Sequence, residues 1–222
     1  MSNFSGYILN INAPNPPDML GYLAGLPGMR NPKKIGDTNW CFLVYTSSKA
    51  ILEDDEVSES GLYEYRILAR WGGESFIFAA QSKDISDILI HKLLGKSNLS
   101  IFKQGINIDS FVRQIMEEPN HYSFKYLHVK CFAWGTSLNS MSLFGEDITA
   151  SNLLRENSKL FNFTTCGVSE ITSSKETVRI GTKGTLSLTL GSIQREKETQ
   201  LTTIDKILRY LKINELYTDK LS

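Results

Sequence analysis

An α+β fold is what this chain predicts, with mainly antiparallel strands and about four helices packed to one side. Three stretches carry that expectation. From Ser123 to Trp134 the residues alternate with period two. Leu127, Val129, Cys131 and Ala133 fall on one side; Phe124, Tyr126, His128, Lys130, Phe132 and Trp134 fall on the other, as the side chains of a strand do. Leu62–Trp71 also alternates, and Gly72-Gly73 followed by Ser75–Ala80 reads as a hairpin turn and its return strand. Finally, Tyr65–Gly95 and Val178–Leu211 both run strand, Gly-containing turn, strand, helix, with ISDILIHKLL answered by TIDKILRYL. Two similar hairpin-plus-helix halves would produce that echo.

Taken in order, Tyr7–Ile11 is a short strand stopped by the proline-rich Ala13–Pro17. From there to Asp37 the glycines at 21, 25 and 28 interrupt Leu20, Tyr22, Leu23 and Leu26, which predicts a long irregular segment with one helical turn. Its basic run, Met29–Lys34, is expected to be a solvated loop. Trp40–Thr46 is a strand and Glu53–Glu59 an acidic loop. After Gln81, either Ser82 or Asp84 caps a helix whose Ile85, Ile88, Leu89, Leu93 and Leu94 keep helical spacing up to Gly95. A second helix follows Asn107, with Ile108, Phe111, Val112, Ile115 and Met116 on one face, and stops before Pro119.

Glu117–Asn120 is the best boundary in the chain and divides it into an N-terminal α+β half, 1–119, and a C-terminal α+β half, 120–222, unless the two form one continuous domain. Beyond the alternating strand, Gly135–Ser142 reads as polar loop, and Leu143-Phe144-Gly145 leads into a helix capped by Asp147. Its apolar positions, Ile148, Leu153, Leu154, Leu160 and Phe161, are imperfectly periodic. Phe161–Val168 is extended, and Thr177–Ile180 and Thr185–Leu190 form a hairpin about Lys183-Gly184. Gln194–Gln200 is a polar loop; Thr202 then opens the last helix, with Asp205 at the capping-box position and Ile204, Ile207, Leu208 and Leu211 on its buried side.

The 222 residues suffice for one large domain or two small ones. Lys plus Arg and Asp plus Glu both number 24, so no whole-molecule field favours nucleic acid or an anionic membrane, and any such contact needs a local patch. Three widely spaced cysteines in apolar segments read as reduced, buried thiols. The first residues lack the basic and apolar regions of a signal peptide, and no apolar run is long enough to span a membrane. The expectation is a soluble, cytoplasmic protein with no membrane contact and no cofactor.

The functional hint in the chain is the aromatic and basic side of the alternating strand. Tyr126, His128, Lys130, Phe132 and Trp134, helped by Arg66 and Arg70, could stack bases and meet phosphates, or could meet a protein partner, since interfaces are enriched in aromatics. The competing reading places helices over this side, with the rings as core and Lys130 reaching past them to water. HVKCFAWG is a poor match to the aromatic signature of RNA-recognition strands.

A divalent-metal nuclease would need carboxylates to hold the ion and a Lys to polarise water. Glu64, Glu74, Gln81 and Lys83 are the weak candidates, with no acid-x-Lys triplet anywhere in the chain. His91, His121 and His128 show no paired-ligand spacing and no CxxC occurs, so no metal is assigned. Cys166 could act as a nucleophile only if His128 came beside it. The expectation is therefore a non-enzymatic subunit, adaptor or inhibitor that binds another protein or a second copy of itself. The alternatives are a nucleic-acid-binding module and, behind it, the nuclease.

Overall fold

The computed structural model describes residues 2–12, 19–70, 75–94, 100–117, 121–131, 139–171 and 176–218. The chain adopts the α+β fold, with antiparallel strand pairs throughout both of its compact units. The first unit is built from Met1–Gln104 with Thr189–Leu201, the second from Gly105–Leu188 with Thr202–Asp219.

The first unit contains β1 (Ser2–Asn12), α1 (Met19–Ala24), β2 (Met29–Lys34), β3 (Trp40–Ser47), β4 (Tyr63–Arg70), β5 (Ser75–Ala80), α2 (Lys83–Leu89) and β6 (Ser100–Lys103). Its strands lie in the order β2-β3-β4-β5-β1, with β6 also on β1. Tyr7, Leu9, Leu43, Tyr65, Ile67 and Phe78 pack with Leu23 of α1 and Ile85 and Leu89 of α2. Ile8, Trp40, Leu68 and Ile77, on the other face, are equally buried, which is why these strands read as apolar on both sides.

Two features of this unit depart from the sequence expectation. The segment to Asp37 holds the expected helical turn, as α1, but also a strand, β2, in place of irregular chain. Met29–Lys34 looks like a loop because it carries Pro32 and three cations, but those residues suit a strand at the end of a sheet, where proline breaks no ladder on its outer side and charge repels a neighbour. A register shift between Arg30 and Lys33 marks the irregularity. The acidic loop is also more ordered than a solvated run. Asp55 accepts hydrogen bonds from the Ile51 and Leu52 amides, at 2.9 and 2.6 Å, and from the Tyr65 hydroxyl at 2.6 Å.

Ser82, not Asp84, is the cap of α2, its hydroxyl accepting from the Ile85 amide at 3.2 Å. One wide turn, Ile90–Leu94, follows the helix. On the side toward β1, Ser86 donates to the Ser5 carbonyl and accepts from the Ala80 amide. Tyr7 and Lys103 each donate to Asp87 at 2.7 Å, and the Lys103 amine stands 3.7 Å from the centre of the Tyr7 ring. Gly6 lies where β1 and β5 pinch together: a Cβ there would be 2.0 Å from the Phe78 carbonyl oxygen.

Burial alone would raise the Asp87 carboxyl, but the hydrogen bonds from Lys103 and Tyr7 outweigh it and hold the group below its ordinary range. A carboxylate depressed in the folded state stabilises above its unfolded pKa, and that contribution disappears as pH falls through the folded value. Asp87→Asn is therefore expected to cost stability at neutral pH, by about 1 kcal/mol given the screening of a partly exposed pair, and to converge with the parent in strong acid. Denaturant titrations at the two pH values check this; a gap of equal size at both would remove Asp87 from the account.

The second unit contains β7 (Gly105–Ile106), α3 (Ile108–Glu117), β8 (Tyr122–Cys131), β9 (Ser140–Phe144), α4 (Asn152–Asn157), β10 (Phe161–Glu170), β11 (Val178–Gly181), β12 (Thr185–Leu190) up to Leu188, α5 (Gln194–Ile213) from Thr202 on, and β13 (Tyr217–Thr218). Its strand order is β12-β11-β10-β8-β9, and β13 pairs with β7. The Asn107 side chain caps α3 by accepting from the Ser110 amide at 3.0 Å. Phe111 of α3 meets Phe124 of β8 edge-on at 5.8 Å and Tyr210 of α5 at 5.7 Å, so both helices pack on the face that carries Leu127 and Val129.

Three corrections concern these elements. Ser140–Phe144 is a strand, not the end of a polar loop. The helix after Asp147 is broken into a short 3-10 turn, Ile148–Ala150, then α4, then a second 3-10 turn, Ser158–Leu160, which accounts for its imperfect periodicity. The last helix starts at Gln194, not Thr202. The Gln, Arg, Glu and Lys of its first turns are good helix formers, and Gln194 donates to Glu198 one turn on at 2.8 Å. Among the described residues no helix is long and apolar enough to cross a membrane.

Candidate binding face on β8, β9, β10 and β11

The alternation of β8 holds from Cys131 back to Tyr126 and then fails. Tyr126 stands opposite Gly167 and Phe124 opposite Val168, so Lys125 is an extra residue, a β-bulge. The bulge turns Phe124 away from the side of Tyr126 and into the packed interior, where it is fully buried. The expectation that Phe124 shares the aromatic side is thereby corrected. Leu127, Val129 and Cys131 do line the packed face, while Tyr126 and His128 are half-buried and Lys130 is exposed.

Pairing across the strands extends that open side well beyond β8. Phe144, Tyr126, Gly167 and Arg179 form one row; Ser142, His128, Thr165 and Gly181 form the next; Ser140, Lys130 and Asn162 form a third. Phe144 is 73% exposed, with its ring 5.0 Å from that of Tyr126. The Arg179 guanidinium covers the Tyr126 ring at 3.9 Å and donates twice to Glu176, at 3.1 and 3.0 Å. His128 Nδ1 and the Ser142 hydroxyl lie 3.0 Å apart.

Gly167 makes this packing possible. A Cβ there would stand 1.9 Å from a Glu176 carboxylate oxygen and 2.9 Å from Tyr126 Cβ, displacing the acid from Arg179. Because Glu176 pairs with Arg179, the exposed amine of Lys130 is the cation left to meet a ligand among the described residues of these rows. That is an aromatic and polar surface more than a phosphate track.

β9 closes the strand order of this unit, and no further strand pairs with it among the described residues. Its sequence, SMSLF, has no charge and no proline. The sequence expectation names neither Phe144 nor Arg179 as a site residue. Phe144 had a findable signal, since Met141 and Leu143 alternate with Ser140, Ser142 and Phe144. Arg179 had none, because only strand pairing brings it over Tyr126.

The remaining sequence candidates are scattered. Phe132, Trp134 and Glu74 lie outside the described residues. Arg66 and Arg70 sit on β4 of the first unit, on a different strand and unit from Tyr126, His128 and Lys130. Glu64 and Gln81 line one cleft of about 430 Å³ with Asp54 and Asp55. Glu64 is paired with Arg30 at 3.2 Å, the Gln81 side chain accepts from the Arg66 amide at 2.6 Å, and Lys83 opens α2. No group of three potential metal ligands occurs among the described residues.

All three cysteines are free and buried. Burial pushes the Cys41 thiol up to about 12 and Cys166 higher still. Cys166 pairs with Leu127 and Thr165 with His128, so Cys166 and His128 point to opposite sides of the strand and cannot act as nucleophile and base. Compared with protein-family models and with curated proteins, the chain finds no match.

Proposed function

We propose that this chain is a non-enzymatic binding protein, a subunit, adaptor or inhibitor, that engages another protein along β9 and the open side of β8. The carrying observation is β9 itself: an uncharged strand held by β8 on one edge, with no strand on the other among the described residues, that ends in a largely exposed Phe144. Such a strand offers a row of N–H and C=O groups to an incoming one, and Phe144 and Tyr126 supply the aromatic contact on which interfaces concentrate their binding energy. The contrast with β2 supports this, since that strand is guarded by Arg30, Pro32, Lys33 and Lys34. A reducing compartment, the cytoplasm, suits three free thiols.

The test is a photo-reactive phenylalanine analogue placed at Ser142 and irradiated in the native cells. A discrete protein adduct is expected at Ser142, absent when the analogue is at Lys34, and lost on adding Phe144→Lys. The same adducts at both positions, or their survival in Phe144→Lys, would defeat the proposal.

A second reading, single-stranded nucleic acid, is favoured by one observation: the Tyr126 and Phe144 rings and the exposed Lys130 share the same open side, two rows apart. Base stacking on such rings is worth about 1–3 kcal/mol each. Tyr126→Ala with Lys130→Glu should then abolish binding of a labelled oligonucleotide in an anisotropy titration with Tm nearly unchanged. No binding by the parent chain removes this reading.

A further inference from the structure

We infer that the second unit carries a binding cleft for a small apolar carboxylate, separate from the β9 surface. The cleft has a volume of about 530 Å³ and lies between the end of β10, the start of β8 and the last turns of α5. That volume falls in the range of pockets that enclose small organic ligands, about 300–1,000 Å³.

Its walls are apolar. Tyr122 and Tyr210 meet edge-on at 5.9 Å, and Ile171 and Ile213 face the same space while 49% and 71% exposed. Large aliphatic side chains are seldom left in water in pairs around one hollow unless something covers them.

The charges around the cleft do not cancel. Glu170 accepts from Lys206 at 3.0 Å and from Thr203 at 3.1 Å, and the Lys206 bond is the largest cause holding its carboxyl below the ordinary range. That pair is closed. Arg209, on the same lip of α5, has no ion pair or hydrogen bond among the described residues. A spare guanidinium beside an apolar hollow selects a ligand with a hydrocarbon body and a carboxylate head, which it can grip through two parallel N–H donors. The same chemistry could come from a free carboxylic acid or from the C-terminus of an apolar peptide.

Octanoate, octylamine and a tripeptide ending in leucine, with blocked and free C-termini, are the probes, followed by amide chemical shifts of the full chain. Octanoate or the free-ended peptide is expected to move Ile171, Tyr210 and Ile213 saturably, while octylamine and the blocked peptide leave them in place. Which of the two anions binds more tightly tells a free acid from a peptide end. Arg209→Glu, on the exposed side of α5, should weaken the anion about tenfold or more, the loss expected for one charge-assisted contact, whereas Arg209→Lys should keep part of the affinity. Equal binding of octanoate and octylamine, an Arg209→Glu variant with parental affinity, or no response to either anion would each overturn the inference. None of these results bears on capture at Ser142.

Discussion

Phe111→Ala is expected to lower the unfolding free energy by about 3–5 kcal/mol, the loss typical of emptying a buried aromatic site. Phe111 is fully buried and is the ring through which α3 reaches both β8, at Phe124, and α5, at Tyr210. Removing it leaves a hollow bounded by aromatic edges that cannot collapse without moving a helix. Phe111→Leu should recover more than half of the loss, since the hollow is largely refilled. Denaturant midpoints for the three chains, with slopes compared, decide the matter. A loss below about 1 kcal/mol for the alanine variant would mean that the helix slides inward and that the site is not rigid.

Gly6→Ala is the second large effect, and it works by crowding. The added methyl would meet the Phe78 carbonyl oxygen at 2.0 Å and Ala79 Cα at 2.5 Å, both main-chain atoms that cannot rotate away. β1 and β5 must separate locally, straining the ladder from Ser5–Ala80 to Asn10–Ser75. The expected cost is about 3 kcal/mol, at the upper end of overpacking. Amide hydrogen exchange would show faster exchange of the Ile8 and Phe78 amides than of amides in β10. Parental Tm and exchange rates in this variant would show that β1 and β5 accept the methyl without separating.

The parts of the fold legible in the sequence are those where a local period survives folding. β3, β4, β5, β10 and the β11–β12 hairpin announce themselves by alternation and turn residues, and α3 by its apolar face and Asn107. What was not legible depends on neighbours. Phe124 changes side because Lys125 is bulged against β10, a pairing no local pattern encodes. β2 is disguised by the proline and cations that suit a sheet margin, and the first turns of α5 by a polarity that signals an exposed helix as readily as a loop.

The candidate face was half visible. Tyr126, His128 and Lys130 came from alternation, but Phe144, Ser142 and Arg179 join them only through strand pairing. Arg66 and Arg70 match them in charge alone, and they occupy a strand of the other unit.

The unguarded margin of β9 has a consequence for handling the protein. At high concentration the nearest matching surface is the same stretch on a neighbouring molecule, and because β8 already holds the other edge of β9, such pairing would join two molecules edge to edge. A single lysine at the exposed Ser140 should weaken that pairing without disturbing the packed face.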